Sequence, residues 1–183
     1  MTKISIRLMT FIIAAGGLTM LIAISSCVTS ERSTQVNDNM TALRQIFTSA
    51  VTMDQVPITQ DAQAYGRPEQ AKISEIKSGS DLLGYCVESK VVSRSGPFKI
   101  RVLLDTQLYV KQATVVSYPW DRGRGVYKRT FTDQFKGKGP GDPIKPGKDI
   151  DAITGATISS RVMAQGVRDT IKLLELIREK KYE

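Results

Sequence analysis

The segment at residues 151–160, Asp-Ala-Ile-Thr-Gly-Ala-Thr-Ile-Ser-Ser, carries the side chains best suited to chemistry. Its hydroxyl groups, which can accept a phosphoryl group or bind a phosphate, are those of Thr154, Thr157, Ser159 and Ser160. Gly155 and Ala156 stand between the two threonines, and their small side chains leave the backbone open to close approach by a bulky group. The segment therefore combines candidate nucleophiles with an accessible backbone.

An apolar pattern with helical spacing follows this segment, and it predicts a helix over Ser159–Lys180. The side chains expected to dock the helix on a core are Val162, Val167, Ile171 and Leu174. Hydroxyl residues at a helix start satisfy free N–H groups, and the positive end of a helix attracts anions. Two interpretations fit: a capped turn without chemistry, or an anion site at the helix start.

The string Asp-x-x-Thr-Gly-Ala-Thr-x-Ser-Ser resembles the flavinylation motif of FMN-binding domains. This family includes the G-type subunit of Rnf electron-transport complexes and the C-type subunit of sodium-pumping NADH:quinone oxidoreductase. The resemblance implies FMN as cofactor, joined covalently as a phosphoester to Thr157. It also implies a flavin transferase that moves FMN from FAD and recognises Asp151 and the Gly-Ala pair. The other cofactor-binding residues expected from this segment are Asp151, Thr154, Gly155, Ala156, Ser159 and Ser160.

Two further elements contribute to the resemblance, which covers roughly Leu82–Ile177. Residues 134–138, Gln-Phe-Lys-Gly-Lys, match a Gln-Phe-x-Gly-Lys element of the family. Residues 118–126 depart from it, because Arg-Gly-Arg-Gly replaces the usual Glu-Thr-Pro-Gly-Leu-Gly. The glycine spacing is kept, so we expect Gly123 and Gly125 to bring a loop close to the flavin.

Three side chains in this loop each have two interpretations. Trp120, the only tryptophan, is either a core residue or a stacking platform for the isoalloxazine ring. Arg122 and Arg124 either steer an acidic redox partner toward the flavin or pair with the flavin phosphate and nearby acids.

Composition excludes several other classes of site. The 183-residue chain contains no histidine, which excludes Ser-His-Asp triads and His-ligated zinc or haem. It has two cysteines, too few for a four-cysteine iron–sulfur cluster, and we predict no metal site. Cys86 lies in an apolar run and is expected to be a small buried residue. The net charge of +8 favours anionic partners, but no nucleic-acid-binding motif is present.

The N-terminus predicts a membrane address. Lys3 and Arg7 precede an uncharged run, Leu8–Ile24, that as a helix would be about 26 Å long against a hydrocarbon core of ~30 Å. The sequence Ile-Ser-Ser-Cys ending at Cys27 looks like a bacterial lipobox, in which the cysteine is acylated. An uncleaved signal anchor is the alternative, and both place the following domain on the extracytoplasmic side of the cytoplasmic membrane.

The remaining pattern predicts an α+β fold, with an antiparallel sheet packed with helices behind the N-terminal membrane helix or lipoprotein signal. Apolar residues at helical spacing over Glu31–Val51 indicate a stalk helix. The predicted strands are Gly84–Val92, Phe98–Leu104 and Tyr109–Ser117. The predicted division of the chain is 1–27 for the signal or anchor, 28–70 for the stalk helix and linker, and 71–183 for the FMN-binding domain.

The resulting hypothesis is a membrane-anchored electron-transfer flavoprotein, the G-type subunit of an Rnf-like, ion-translocating ferredoxin:NAD complex. Its expected partners are the other membrane subunits, the flavin transferase and the membrane, and no independent catalysis is expected. Two alternatives stay open. The first is a free-standing flavinylated lipoprotein that shuttles electrons. The second is a non-redox surface binding module with Thr157 unmodified.

Overall fold

The computed structural model describes residues 41, 43–47, 52–57 and 71–181. The chain divides into two units, Met1–Thr41 and Ala42–Glu183, and all the strands and helices named below belong to the second. The predicted signal or anchor, Cys27 and most of the predicted stalk and linker lie outside the described residues. Among the helices that are described, none combines the length and apolar character needed to span a membrane.

Within the described residues, five antiparallel strands form one sheet in which each strand pairs with the next along the chain. The strands are β1 (Thr52–Val56), β2 (Ala71–Ser78), β3 (Asp81–Ser93), β4 (Gly96–Asp105) and β5 (Val110–Ser117). Short turns join β2 to β3, β3 to β4 and β4 to β5, because antiparallel neighbours need only a hairpin between them. The α+β class with an antiparallel sheet is confirmed, as are the three predicted strands, which correspond to β3, β4 and β5.

A long helix packs on one face of this sheet. The helix α2, Thr157–Lys181, presents Met163, Val167 and Ile171 to alternating apolar side chains of the strands. A Cβ on Gly166 would lie 2.7 Å from Val91 Cγ1 and 2.8 Å from Ile100 Cδ1, so the helix backbone approaches the sheet closely at that point. The predicted docking of this helix is confirmed, since Val167, Ile171 and Leu174 are buried and Val162 packs against the core.

On the opposite face of the sheet the helical residues 43–47 approach β3, since a Cβ on Gly84 would lie 3.1 Å from Phe47 Cε1. Leu43 in the same segment is buried. Cys86 and Leu103 are paired across β3 and β4 on this face, and both are buried. The sheet therefore has an apolar layer on each side.

A long connection links β5 to α2 and begins with residues 118–126, the basic loop. It holds a 3-10 turn at Arg124–Tyr127, the short helix α1 at Arg129–Thr132 and a second 3-10 turn at Asp133–Phe135. Phe131 and Phe135 are fully buried and meet edge to face, with ring centroids 5.3 Å apart. Val110 exchanges backbone hydrogen bonds with Gly137 and Lys138, each 2.8 Å long, so this connection returns to the start of β5.

Candidate functional site

A tight turn leads into α2 and fixes the start of the helix. Gly155 has φ of 78°, a left-handed conformation that glycine adopts without steric penalty. The Ala156 N–H donates to the Ile153 carbonyl over 2.9 Å, closing the turn. Ser160 then donates twice to the Ala156 carbonyl, from its N–H at 2.8 Å and its Oγ at 2.9 Å. The buried Ser160 hydroxyl therefore has a structural role beneath the turn.

The first turn of α2 leaves hydrogen-bond donors without helical acceptors. The Ser160 N–H, which donates to the Ala156 carbonyl, makes the first backbone hydrogen bond of the helix. The N–H groups of Thr157, Ile158 and Ser159 come before it and therefore have no acceptor within the helix. No acidic residue lies in this first turn. Thr157 is exposed, so its hydroxyl is accessible at the positive end of a 25-residue helix.

The basic loop is tied to this helix start through one tyrosine. Tyr118 Oη lies 2.6 Å from the Arg122 carbonyl oxygen and 2.8 Å from Ser159 Oγ. Gly123, with φ of 89°, lies directly against this pair: a Cβ there would overlap Tyr118 Oη and lie 2.6 Å from Ser159 Oγ. A Cβ on Gly125 would lie 2.6 Å from Ile153 Cγ2, so the second glycine also lets the loop contact the turn. The kept glycine spacing is explained by loop-to-helix packing.

A cleft of about 510 Å³ opens between the basic loop, the helix start and the turn that joins β3 to β4. Its lining residues are Arg94, Ser95, Arg122, Gly123, Gly155, Ala156, Thr157, Ile158 and Ser159. Two arginines from different loops thus share one cleft with the exposed Thr157 hydroxyl. None of these residues carries a carboxylate, so the cleft has a net positive charge.

The structure brings together about half of the predicted cofactor-binding residues. Those that line the cleft are Gly123, Gly155, Ala156, Thr157 and Ser159. Those outside its lining are Trp120, Gly125, Asp151, Thr154 and Ser160. Trp120 donates from Nε1 to the Pro97 carbonyl over 2.8 Å and packs against Gly96, where a Cβ would overlap the indole. Its contacts match the core-packing interpretation of this residue.

Asp151 is held in place by the Gln-Phe-x-Gly-Lys element. The Asp151 N–H donates to Gln134 Oε1 over 2.6 Å, while the buried ring of Phe135 anchors the same element in the core. Gln134 therefore fixes the beginning of the segment that leads to Thr157. The sequence identified the element without indicating this contact.

Four residues at the cleft were not predicted from the sequence: Arg94, Ser95 and Ile158 line it, and Tyr118 links the basic loop to the helix start. The sequence predicts a turn over residues 93–97; in the structure the turn is only Arg94–Ser95, because Ser93 ends β3 and Gly96 begins β4. Nothing in a turn sequence tells which distant element it faces. Tyr118 follows β5 directly, and its buried hydroxyl gives no pattern that a sequence can reveal.

Cys86 lies on the sheet, outside the cleft lining. Burial raises the pKa of the Cys86 thiol to about 12, so the thiol stays protonated and unreactive at neutral pH. The described part of the chain holds no cluster of three or more metal-ligating side chains.

Comparison with known proteins found a family model that matches the segment containing the cleft. Residues 94–172 match the model of the FMN-binding domain family, and this span begins at Arg94 and includes the basic loop and the first turns of α2. A comparison with curated proteins found no match. The family-model match supports assignment of this segment to the FMN-binding domain family, and with it a flavin-binding role for the domain.

Proposed function

We propose that the domain carries FMN covalently, through a phosphoester bond to Thr157 Oγ1. The observation that carries this proposal is the exposed Thr157 hydroxyl at the start of α2, inside a cleft that also holds Arg94 and Arg122. A hydroxyl is the group that a phosphoester requires. The family-model match supplies the identity of the phosphate-bearing group.

The residues present fit the phosphate end of FMN. A phosphodiester keeps one negative charge, which the free N–H groups and positive end of α2 stabilise by roughly 0.3–1 kcal/mol, or up to ~2 kcal/mol when partly buried. Arg94 and Arg122 supply two cations in the same cleft. The cleft volume of about 510 Å³ lies within the roughly 300–1,000 Å³ range of cofactor sites.

Attachment requires a base that the cleft does not contain. With FAD as donor, a bond forms between Thr157 Oγ1 and the FMN phosphorus, the pyrophosphate bond breaks and AMP leaves. The Thr157 proton must pass to a general base, and the described residues lining the cleft include no carboxylate or thiolate. We therefore assign the base to a flavin transferase that binds this helix start from outside.

Bound FMN would supply electron-carrying chemistry, while the protein supplies position and charge. We propose that the domain works as a tethered electron carrier on the extracytoplasmic side of the membrane, as a G-type subunit of an Rnf-like complex. A free-standing flavinylated lipoprotein is the second candidate, favoured by the lipobox ending at Cys27 and by the Arg-Gly-Arg-Gly loop. Co-purification from detergent-solubilised membranes separates the two, because only the first retains partner subunits.

The two arginines of the loop have different surroundings. Arg122 lines the cleft, where it is placed to pair with the phosphate. Arg124 is exposed outside the cleft lining, and its Nε donates to the Trp120 carbonyl over 3.2 Å. We therefore assign partner steering to Arg124, since a fixed and exposed cation near a redox group attracts an acidic partner.

The attachment is tested by mass and fluorescence after co-expression with a flavin transferase. The intact mass of the wild-type protein should rise by that of FMN less one water, and its band should fluoresce after denaturation. Thr157→Ser should keep the addition because it keeps a hydroxyl, whereas Thr157→Val should abolish it. Thr130→Val, at an exposed threonine outside both the motif and the cleft lining, is the matched control and should load normally. Persistence of the flavin in Thr157→Val would disprove the assignment, and an unmodified wild-type protein would favour a non-redox binding module.

A further inference from the structure

One buried tyrosine joins the two walls of the cleft. Tyr118 is 4% exposed, and its ring packs against Phe98 and Tyr127 at centroid distances of 5.0 and 6.1 Å. Its hydroxyl contacts the Arg122 carbonyl in the basic loop and Ser159 Oγ in the first turn of α2. Packing fixes the ring, so the hydroxyl is a rigid link between loop and helix.

The direction of each hydrogen bond follows from the number of protons. A carbonyl oxygen only accepts, so the single proton of the Tyr118 hydroxyl must go to the Arg122 carbonyl. The contact with Ser159 then requires that Ser159 Oγ donates to Tyr118 Oη. The one proton of the Ser159 hydroxyl is therefore already in use and is not free for a phosphate at Thr157.

We propose that Tyr118 is a positioning residue that holds Arg122 against the start of α2, and that Ser159 acts through Tyr118 instead of binding the cofactor phosphate. One consequence is that the position of Arg122 governs FMN attachment at Thr157, and this consequence rests on the proposed function. This role of Ser159 differs from its assignment as a cofactor ligand, which the sequence motif favours.

Loop geometry supports the same conclusion. Arg122 precedes Gly123, whose missing Cβ is what lets the loop lie against Tyr118 Oη and Ser159 Oγ. The carbonyl of Arg122 is fixed by Tyr118, and Arg122 is an exposed residue that lines the cleft. A change at the Tyr118 hydroxyl therefore reaches the cleft through the Arg122 backbone.

The proposal is tested by comparing how much two single substitutions, Tyr118→Phe and Ser159→Ala, slow FMN attachment. Initial rates of FMN attachment are measured with purified flavin transferase and FAD, over a range of apo-protein concentrations. Tyr118→Phe keeps the ring and should slow attachment about tenfold at low apo-protein concentration, the effect of losing one buried hydrogen bond. Ser159→Ala leaves the Tyr118–Arg122 bond intact and should slow it less than about threefold. A larger loss in Ser159→Ala than in Tyr118→Phe would overturn the proposal and make Ser159 a direct ligand.

A matched control and a double variant separate positioning from general damage. Tyr127→Phe changes an exposed tyrosine directly after the same loop and should leave the attachment rate and melting temperature unchanged. In an Arg122→Gln background, Tyr118→Phe should slow attachment no further, because its effect passes through Arg122. Additive losses in the double variant would show that Tyr118 does not act through Arg122.

Amide hydrogen exchange in the apo-protein gives a readout that needs no flavin. Tyr118→Phe should speed exchange at Val126, whose N–H donates to the Gly123 carbonyl within the loop, while Tyr127→Phe should not. Unchanged exchange in Tyr118→Phe would refute the anchor directly. If the wild-type protein accepts no flavin, the proposed function fails, and the exchange result alone decides whether Tyr118 holds the loop.

Discussion

Substitution of Gly123 by alanine tests the packing of the basic loop on the helix start. The residue has φ of 89°, and this left-handed conformation costs alanine about 1–2 kcal/mol. The new methyl group would also overlap Tyr118 Oη and lie 2.6 Å from Ser159 Oγ. Overpacking of this kind adds about 1–3 kcal/mol. The free energy of unfolding should therefore fall by about 2–5 kcal/mol, which lowers the melting temperature by roughly 10 °C.

Gly137→Ala is the matched control for this experiment. Gly137 has φ of 80°, but a Cβ there meets no atom within 4 Å, so only the backbone penalty applies. Any change in unfolded-state entropy is the same for both variants and cancels in their comparison. Urea unfolding should find Gly123→Ala less stable than Gly137→Ala by about 1–3 kcal/mol. Equal losses in the two variants would refute the close contact between the loop and Tyr118.

Three further predictions follow from burial and charge. Val167→Asp should lower the free energy of unfolding by about 4 kcal/mol in urea titrations, because it places an unpaired charge in the core; the exposed Lys172→Asp on the same helix should not. Cys86 should resist alkylation by iodoacetamide at pH 8 until the protein unfolds. The free energy of unfolding should fall as the pH rises above about 9, because there the Cys86 thiol ionises only in the unfolded chain. In flavin-loaded protein, Arg124→Glu should slow oxidation of the reduced flavin by ferricyanide several-fold at low ionic strength and weaken its salt dependence, while Lys148→Glu should change neither. Alkylation of folded Cys86, or equal rates in both charge variants, would contradict these expectations.

The strands and the helix that the sequence predicted are those with a clear apolar period. In β4, Ile100, Val102 and Leu104 all face the core, and the alternation of the first two with Lys99 and Arg101 is visible in the sequence, although Leu103 is apolar too. The two missed strands lack that signal. β1 is exposed at four of its five positions, so no apolar alternation marks it. In β2, Ser74 and Glu75 are buried beside Ile73 and Ile76, and a bulge between Ile76 and Lys77 interrupts the period.

The cleft divides into a part that a local sequence encodes and a part that topology supplies. The turn, the glycine with positive φ and the exposed Thr157 lie within a few residues of one another, so a short motif can identify them. Arg94 reaches the same cleft from a strand turn more than sixty residues away, which no local pattern reveals. The hydroxyl of Ser159 shows how this limits inference from the motif. Its residue type and position favour a phosphate ligand, yet its proton is committed to Tyr118, a partner 41 residues away. The chemical role of a motif side chain thus depends on a hydrogen bond that only the folded chain creates.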